Sequence, residues 1–286
     1  MSANVPTTEH AAIGPSVTVS ATTHPETRLS GDVPVLIQRQ TAQAGVGKGL
    51  HAHPEGQFYF ALQGLIAIET AAGRIVMPPG RAGWIPPGVT HGARVIGGVQ
   101  GFADGEQVGF TMYLAPERCT AFPAVPIVLG VSDLVADMLG RMSRWPTGRP
   151  LSDREQRFLQ VFLDELTSAP PELLRLTLPA NAGLARIAAA MAEDLAGEIS
   201  LDDWADTIGM SRRTITRRFR AETGLSIVEW RQIARMQRAL ELLGEGESVT
   251  SVSLTLGYDS VSSFIAIFKR LLGVTPGRLN AAGGAA

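Results

Sequence analysis

The sequence lacks several features, and each absence narrows the class of protein. Cys119 is the only cysteine among the 286 residues, so no disulfide can form within the chain. No run of about eighteen apolar residues occurs, which excludes a membrane-spanning helix of ordinary length. The segment Met1–His10 carries neither the basic nor the apolar region of a signal peptide. These absences predict a cytoplasmic protein with no membrane partner.

Glycine and proline, by contrast, are frequent, and they divide the first half of the chain into short segments. Residues 1–30 are rich in Thr, Ser and Pro, which predicts a flexible N-terminal arm. Residues 31–116 predict an all-β sandwich or barrel, because apolar runs lie between glycine and proline breakers. These runs are Phe58–Leu62, Leu65–Ile68, Arg74–Met77 and Gly109–Leu114.

The rest of the chain has the pattern of helices. Residues 117–178 predict a helical linker or interaction segment, in which Ser152 and Glu155 have the spacing of a capping box. That box predicts a helix over Asp153–Thr167. Residues 179–286 predict an all-α domain whose helices are separated by Gly and Ser. The expected fold class is therefore α+β, with an N-terminal β-barrel, a helical linker and an all-α domain.

The all-α part contains an internal repeat. In each copy a small residue precedes a glycine by four positions, a serine follows the glycine within three residues, and a phenylalanine follows it by ten or eleven. The first copy has Ala205, Gly209, Ser211 and Phe219, and the second has Ser253, Gly257, Ser260 and Phe268. The repeat is the strongest signal in the sequence, because each copy has residues that end one helix and begin the next, at nearly the same spacing.

This spacing is typical of helix-turn-helix units. The small residue lets two helices cross closely, the glycine ends the first helix, and the serine caps the second. A generic helical bundle is the alternative, and the matched spacing of two copies counts against it. Eight arginines and two glutamates lie between Ser211 and Arg238, which places positive charge on and just after the second helix of the first unit. Such a helix is suited to phosphate and guanine contacts.

Residues from Ser200 to Asn280 resemble the DNA-binding domain of the AraC family. The matching positions are Ser211, Phe219, Gly224, Arg235, Ala239, Leu243, Gly257, Tyr258, Ser260, Phe264, Phe268, Gly273 and Pro276. The resemblance implies two helix-turn-helix units joined by a linker helix, here about Ile227–Leu243. It also implies that the two recognition helices enter successive major grooves of DNA.

By position, the resemblance implies a set of DNA contacts in each unit. In the first unit they are Arg212, Arg213, Thr216, Arg217 and Arg220, of which Arg213, Thr216 and Arg217 would read bases. In the second unit they are Ser260, Ser262, Ile265, Ala266, Lys269 and Arg270. The base-reading face of the second unit has no arginine, so we expect apolar contacts there and phosphate anchoring by Lys269 and Arg270.

The histidines of the N-terminal half form a second constellation. His51 and His53 are two positions apart, so they project to one face of a strand, and His91 follows a Pro-Gly turn that can bring it to them. This spacing resembles the two motifs of the cupin family, in which His51, His53 and His91 match the metal ligands and Gln57 stands at the usual Glu. The resemblance implies a cupin-like barrel. Its histidines and Gln57 either hold a divalent metal ion or line a pocket for an organic effector.

A cupin-like barrel followed by this DNA-binding domain resembles a known subgroup of AraC-type regulators. The resemblance implies a transcription regulator, not an enzyme, that binds double-stranded DNA and responds to a small molecule or metal ion in the barrel. RNA polymerase and a second copy of the chain stay open as partners. The alternative is a cupin metalloenzyme with a helical appendage, which would leave the repeat and the arginines without a role.

Overall fold

The computed structural model describes most of the chain. The described residues are 29–41, 47–62, 64–71, 73–96, 107–172, 175–197 and 200–277. The flexible arm predicted at 1–30 lies outside them except for its last two residues. No helix among the described residues is both long and apolar enough to cross a bilayer.

The first part of the structure consists of two antiparallel sheets. Their strands are β1 Val35–Thr41, β2 Gly47–His51, β3 Gly56–Ala61, β4 Leu65–Thr70, β5 Gly73–Met77, β6 Arg81–Ile85, β7 His91–Ile96, β8 Gln107–Leu114, β9 Ile127–Gly130, β10 Pro171–Glu172 and β11 Arg175–Thr177. The first sheet has the order β1-β8-β3-β6-β9-β10, and the second has the order β11-β5-β4-β7-β2. The predicted N-terminal β-domain is confirmed, and within the described residues it takes the form of two sheets and not a closed barrel.

The apolar runs of the sequence form strands β3, β4, β5 and β8, whose apolar side chains, such as Ile68 and Met112, are buried. On the second sheet, Ile68 and Met77 point inward, because both lie against Gly83 of β6 in the first sheet. Side chains alternate along a strand, so Val76 of β5 points outward. Val76 is nevertheless fully buried. Another part of the chain therefore covers the outer face of the second sheet.

Two helices, α1 Asp133–Met142 and α2 Asp153–Ser168, pack against the outer face of the first sheet. Their buried side chains, such as Leu139 and Phe162, share a core with Phe60 of β3. The capping box predicted at Ser152 and Glu155 is present, with reciprocal hydrogen bonds between the two residues. The helix starts where the sequence predicts because this box satisfies backbone N–H groups of its first turn.

The segment 117–178 is less helical than its sequence predicts, since it also supplies β9, β10 and β11 to the sheets. β10 and β11 have two and three residues, too few to display the alternation by which a strand is recognised. β9 is a short apolar run, and periodicity cannot distinguish such a run from a buried helix segment. β11 pairs with β5, so the boundary predicted between residues 178 and 179 falls directly after the sheet.

The all-α part contains the two predicted helix-turn-helix units. Its helices are α3 Ala182–Glu193, α4 Leu201–Ile208, α5 Arg212–Thr223, α6 Ile227–Gly244, α7 Val249–Thr255 and α8 Val261–Leu272. Helices α4 and α5 form the first unit, α7 and α8 form the second, and α6 is the linker helix. Gly209 and Gly257 have the left-handed backbone that the turns require, and Ser211 and Ser260 cap α5 and α8.

The cover on the outer face of the second sheet is the all-α part itself. Val76 and Leu65 belong to the same apolar cluster as Leu240 of α6, Val252 of α7 and Phe264 of α8. The first unit has a separate core around Ile215, Phe219 and Trp230, which α3 completes with further side chains. The second unit and the linker helix are therefore packed on the sheets, whereas the first unit is held mainly by α3 and the start of α6. We call the cluster that joins the second sheet to α6, α7 and α8 the shared core.

The two turn glycines differ in their surroundings, which yields a stability prediction. A Cβ on Gly257 would meet the backbone of Ala196 at 2.8 Å, whereas a Cβ on Gly209 would meet nothing within 4 Å. Alanine at either site costs about 1–2 kcal/mol, because an L side chain strains the left-handed backbone. We expect Gly257→Ala to lower the thermal unfolding midpoint clearly more than the matched control Gly209→Ala. Equal shifts in the two variants would contradict the close packing at Gly257.

Candidate functional site

Helix α5 presents a basic face to solvent. Ile215 and Phe219 are fully buried and hold the helix against the first unit, which turns Arg213 and Arg217 outward. Arg213, Thr216, Arg217 and Arg220 are all exposed. The Thr216 hydroxyl donates to the backbone carbonyl of Arg212 at 2.8 Å, so its oxygen keeps acceptor capacity for a partner. This outward face has the positive charge and the exposure of a helix that enters a major groove.

Arg212 differs from the other arginines of α5 because it forms an ion pair within the unit. Its Nη1 lies 3.2 Å from Asp202 Oδ2 of α4, and both side chains are largely exposed. An exposed pair of this kind contributes little to stability, so Arg212 can exchange this partner for a phosphate. The pair joins the two helices of the first unit at the edge of the basic face.

Helix α8 presents a weaker outward face. Ser262, Ala266, Lys269 and Arg270 are exposed, as the predicted DNA contacts require. Ser260 already caps the helix, since its Oγ accepts from the Ser263 amide at 3.1 Å. Ile265 is only partly exposed and packs against the shared core, so it presents less surface to DNA than its sequence position predicts.

The three histidines of the sheets converge, as the sequence predicts. His51 ends β2 and stands directly opposite His91 at the start of β7, while His53 follows β2 by two residues. The ring centroids of His51 and His91 are 4.5 Å apart, and those of His53 and His91 are 5.1 Å apart. One ligand nitrogen from each ring lies within 4.8 Å of the others.

Backbone carbonyls orient all three rings. His51 Nδ1 lies 2.8 Å from the Gly49 oxygen, His53 Nδ1 lies 3.0 Å from the Glu55 oxygen, and His91 Nδ1 lies 2.8 Å from the Val89 oxygen. A carbonyl oxygen only accepts, so each Nδ1 carries a proton and donates it. The Nε2 atoms are then the ones that face the centre of the cluster.

Gln57 lies at that centre. Its side-chain oxygen Oε1 is 2.8 Å from His53 Nε2 and 2.7 Å from His91 Nε2. Gln57 and both of these histidines are buried. The sequence predicted Gln57 beside the histidines, and the structure places it in direct contact with two of them.

Two tyrosines and a carboxylate complete the cluster, and the sequence did not predict any of the three as part of it. Tyr59 and Tyr113 both hydrogen-bond with the Gln57 side chain. Burial raises the pKa of Tyr113 to about 12, the Glu55 carboxylate adds to the rise, and the bond with Gln57 opposes it. Burial and the neighbouring Tyr113 also raise the pKa of Tyr59. The alternation of side chains along a strand could have indicated the tyrosines. Residues 57 and 59 share a face of β3, and Tyr113 of β8 is paired with Gln57 of β3.

The three histidines could supply three ligands for a divalent metal ion, and Gln57 is the candidate for the fourth. Ligands bound at about 2.0–2.1 Å in a tetrahedral site lie about 3.3 Å from one another. The contacts from Gln57 to the two imidazoles are 2.7–2.8 Å, which are distances of hydrogen bonds and not of neighbouring ligands. As arranged, these side chains fit a hydrogen-bonded cluster better than a metal site.

Comparison with known proteins places the chain in a family. Residues 204–282, which span most of α4 and all of α5 to α8, match a helix-turn-helix domain family. The HTH-type transcriptional regulator NimR of Escherichia coli K12 is 32% identical over 229 residues, which cover 80% of this chain and 81% of NimR. The chain belongs to the AraC family of transcriptional regulators.

Two further similarities cover different shares of this AraC-family regulator. The HTH-type transcriptional regulator RipA of Corynebacterium glutamicum is 28% identical over 174 residues, or 58% of this chain and 53% of RipA. A crystal structure of ToxT from Vibrio cholerae aligns with 88% of this chain and all of that chain, at 10% identity and a TM-score of 0.38. The similarity to NimR extends well beyond the helix-turn-helix region, so the sheets belong to what the two regulators share.

Family membership makes α4 to α8 the DNA-binding domain of this regulator, and its ligand is double-stranded DNA. We expect Arg213→Ala and Arg217→Ala each to weaken specific binding by about 1–3 kcal/mol and to relax preference at one base position. Arg218→Ala is the matched control, because it removes the same charge from another side of α5. The wild-type chain selects the DNA from a random pool, and anisotropy at fixed salt gives the affinities.

If Arg213 and Arg217 read bases, replacing either with alanine should lower the affinity for the selected DNA more than the affinity for random DNA. Arg218→Ala should weaken both by the same small factor, as a phosphate contact or a solvated side chain would. If all three variants lose the same affinity on both DNAs, the arginines of α5 contact phosphates only, and the assignment is wrong.

Proposed function

We propose that this AraC-family regulator changes its affinity for specific DNA in response to a signal received by the sheets. The observation that carries the proposal is the shared core, which joins the second sheet to the linker helix and the second helix-turn-helix unit. A packed core has few alternative arrangements, so a change in the sheets is passed to the helices that rest on them.

Polar contacts across the shared core fix how the helices sit on the sheet. Arg74 of β5 forms an ion pair with Glu241 of α6, and the Gln237 side chain donates to the Arg74 carbonyl at 3.1 Å. Glu241 is also bound by Arg238 of α6 at 3.0 Å. The contact therefore involves both the side chain and the backbone of one strand residue, which sets the register of α6 against β5.

Two further contacts join the helices to the sheets. Arg81 of β6 donates to the Leu272 carbonyl at the end of α8 at 2.7 Å, and Glu172 holds the same guanidinium at 2.7 Å. A cation at a helix C-terminus is favourable, because the carbonyls there are partly negative. Trp230 of α6 donates to the Thr177 carbonyl of β11 at 2.7 Å. The sheets thus hold the linker helix near its start and the second recognition helix at its end.

The histidine cluster is close to this contact in the sheet. His91 pairs with Thr70 of β4, and the neighbouring Glu69 pairs with Arg74 of β5. One strand therefore separates the cluster from the residue that binds α6. A ligand that moved β7 would also displace β4 and β5, because their ladder hydrogen bonds are continuous.

The signal is a small molecule in this proposal, since the arrangement around Gln57 favours hydrogen bonding over metal ligation. RNA polymerase and a second copy of the chain are proposed as partners, and sedimentation of the chain with and without DNA tests the second copy. The chain is proposed to have no enzymatic activity. The metalloenzyme alternative leaves the basic face of α5 without a role. NimR, of which the chain covers 81%, is a transcriptional regulator.

The proposal is tested by measuring DNA affinity in the presence of ligands that bind the full chain. Candidate ligands are identified by thermal shift, and those whose binding is lost in His91→Phe are retained as ligands of the cluster. Such a ligand should change the affinity for selected DNA by a factor of about 5–150, the usual range of coupling between sites. A retained ligand that saturates the chain and leaves DNA affinity unchanged would contradict the proposal.

The ion pair across the shared core gives a structural prediction. Arg74→Ala leaves Glu241, which is mostly buried, with Arg238 as its remaining cation, so we expect a loss of about 1–3 kcal/mol in unfolding free energy. Arg94→Ala is the matched control on the same sheet, because its pair with Glu69 spans 4.0 Å and is exposed on both sides. The control should change stability by less than about 1 kcal/mol. Equal effects, measured by chemical denaturation of the full chain, would show that Arg74 does not hold the helices.

A further inference from the structure

Two arginines of the linker helix bind the chain itself. Arg231 and Arg235 belong to the arginines that follow α5 in the sequence, yet both side chains are partly buried. They lie four positions apart on α6 and so share one face of that helix. Arg231 Nη2 donates to the Leu195 carbonyl at 3.1 Å, and Arg235 Nε donates to the same oxygen at 2.8 Å. A carbonyl oxygen has two lone pairs, so the two guanidinium groups use its whole acceptor capacity.

The Leu195 carbonyl belongs to a short turn, residues 194–197, which follows α3. The Leu195 side chain packs against both the shared core and the core of the first unit. The backbone of Ala196 lies so close to Gly257 that a Cβ on the glycine would meet it at 2.8 Å. The 194–197 turn therefore touches the first unit through its core and the second unit at the turn between α7 and α8.

Arg235 also contacts the turn of the second unit. Its guanidinium carbon lies 5.4 Å from the centroid of the Tyr258 ring, and Tyr258 follows Gly257 between α7 and α8. The Tyr258 hydroxyl accepts from Gln232 Nε2 at 2.6 Å, three positions earlier on α6. Tyr258 is buried, and its ring centroid lies 5.3 Å from that of Phe264 in α8. One face of α6 is thus bound both to the end of α3 and to the start of the second recognition helix.

We propose that Arg235 is a positioning residue that fixes the second recognition helix relative to the first, and so sets the spacing between the two DNA segments that the chain accepts. The turn after α3 supports the core that holds α5, and Tyr258 packs on α8, so Arg235 joins the supports of both helices. A guanidinium suits this role, because its edge donates to the carbonyl while its face lies over the ring. The compact ammonium of lysine cannot make both contacts in this way.

Spacing depends on this contact because DNA is itself a helix. Each base pair adds about 3.4 Å along the axis and about 35° of rotation. Two recognition helices in a fixed relation match one spacing, whereas a loosened pair also accepts neighbouring spacings. The inference goes beyond regulation by a signal, since it concerns which DNA the chain accepts and is tested without an effector.

DNA with altered spacing tests the inference on the full chain. The wild-type chain selects its DNA from a random pool, footprinting locates the two protected segments, and one base pair is then inserted or deleted between them. We expect wild type to bind the altered DNAs at least about tenfold more weakly than the selected DNA, because one unit loses its contacts. For Arg235→Met the same ratio should fall to about threefold or less, because the second unit can shift and regain them.

Arg186→Met is the matched control, because it removes an arginine from the exposed side of α3. It should keep the wild-type ratio. Anisotropy at fixed salt gives the affinities, and thermal unfolding shows which variants are folded. The ratio of affinities separates positioning from stability, since a smaller folded fraction lowers binding to all of the DNAs equally.

The inference is overturned if folded Arg235→Met keeps the wild-type ratio, or if wild type itself binds the altered DNAs as well as the selected DNA. If Arg235→Met does not fold, Arg235→Lys takes its place, because lysine keeps the charge and most of the length of the side chain. Its ratio should lie below that of wild type, since one of the two contacts is lost. An unchanged ratio in folded Arg235→Lys would then overturn the inference.

Discussion

The outer face of the second sheet is apolar, and an apolar sheet face has to be buried against another element. Leu65 and Val76 project from this face, and both are almost fully buried. The covering element is the linker helix together with the second helix-turn-helix unit, through side chains such as Leu240 and Phe264. The sheets and the second unit therefore depend on the same core, and neither could be removed without exposing it to water.

This constraint distinguishes the two helix-turn-helix units. The first unit has its own core around Ile215 and Trp230, and its recognition helix presents exposed arginines. The second unit rests on the sheet, and its recognition helix ends in a carbonyl bound by Arg81. The unit that carries the stronger base-reading chemistry is thus the one less restrained by the sheets. A signal in the sheets would act chiefly by changing the position of the second unit relative to the first.

The sequence predicted much of this architecture because its signals are local. Strands β3, β4, β5 and β8 follow from apolar runs between breakers, and the start of α2 follows from the capping box at Ser152. The repeat likewise predicted the turn glycines and capping serines of both units. These features are decided by residues within one or two turns of each other, so they can be read without knowing the tertiary structure.

What the sequence did not predict depends on contacts between distant segments. Strands β10 and β11 are too short to have a period, and they exist because β9 and β5 offer them hydrogen-bonding edges. The sequence of β5 does not show whether its outward apolar residues face solvent or another element. Only the position of α6 in the fold shows that they are covered. The three histidines were predicted together. The contacts of Gln57, however, include Tyr113, which lies 56 positions away along the chain and is brought beside Gln57 by the pairing of β8 with β3.

The sheets and the DNA-binding helices should open and close as one cooperative unit, because the shared core joins them. Hydrogen exchange of the full chain, with and without DNA selected by the chain, tests it most directly. Because DNA binds only the folded helices, it should slow exchange in every segment that opens with them. Exchange should therefore slow in β4 and β5 as well as in α5 and α8. Protection confined to the helices, with unchanged exchange in β4 and β5, would contradict it.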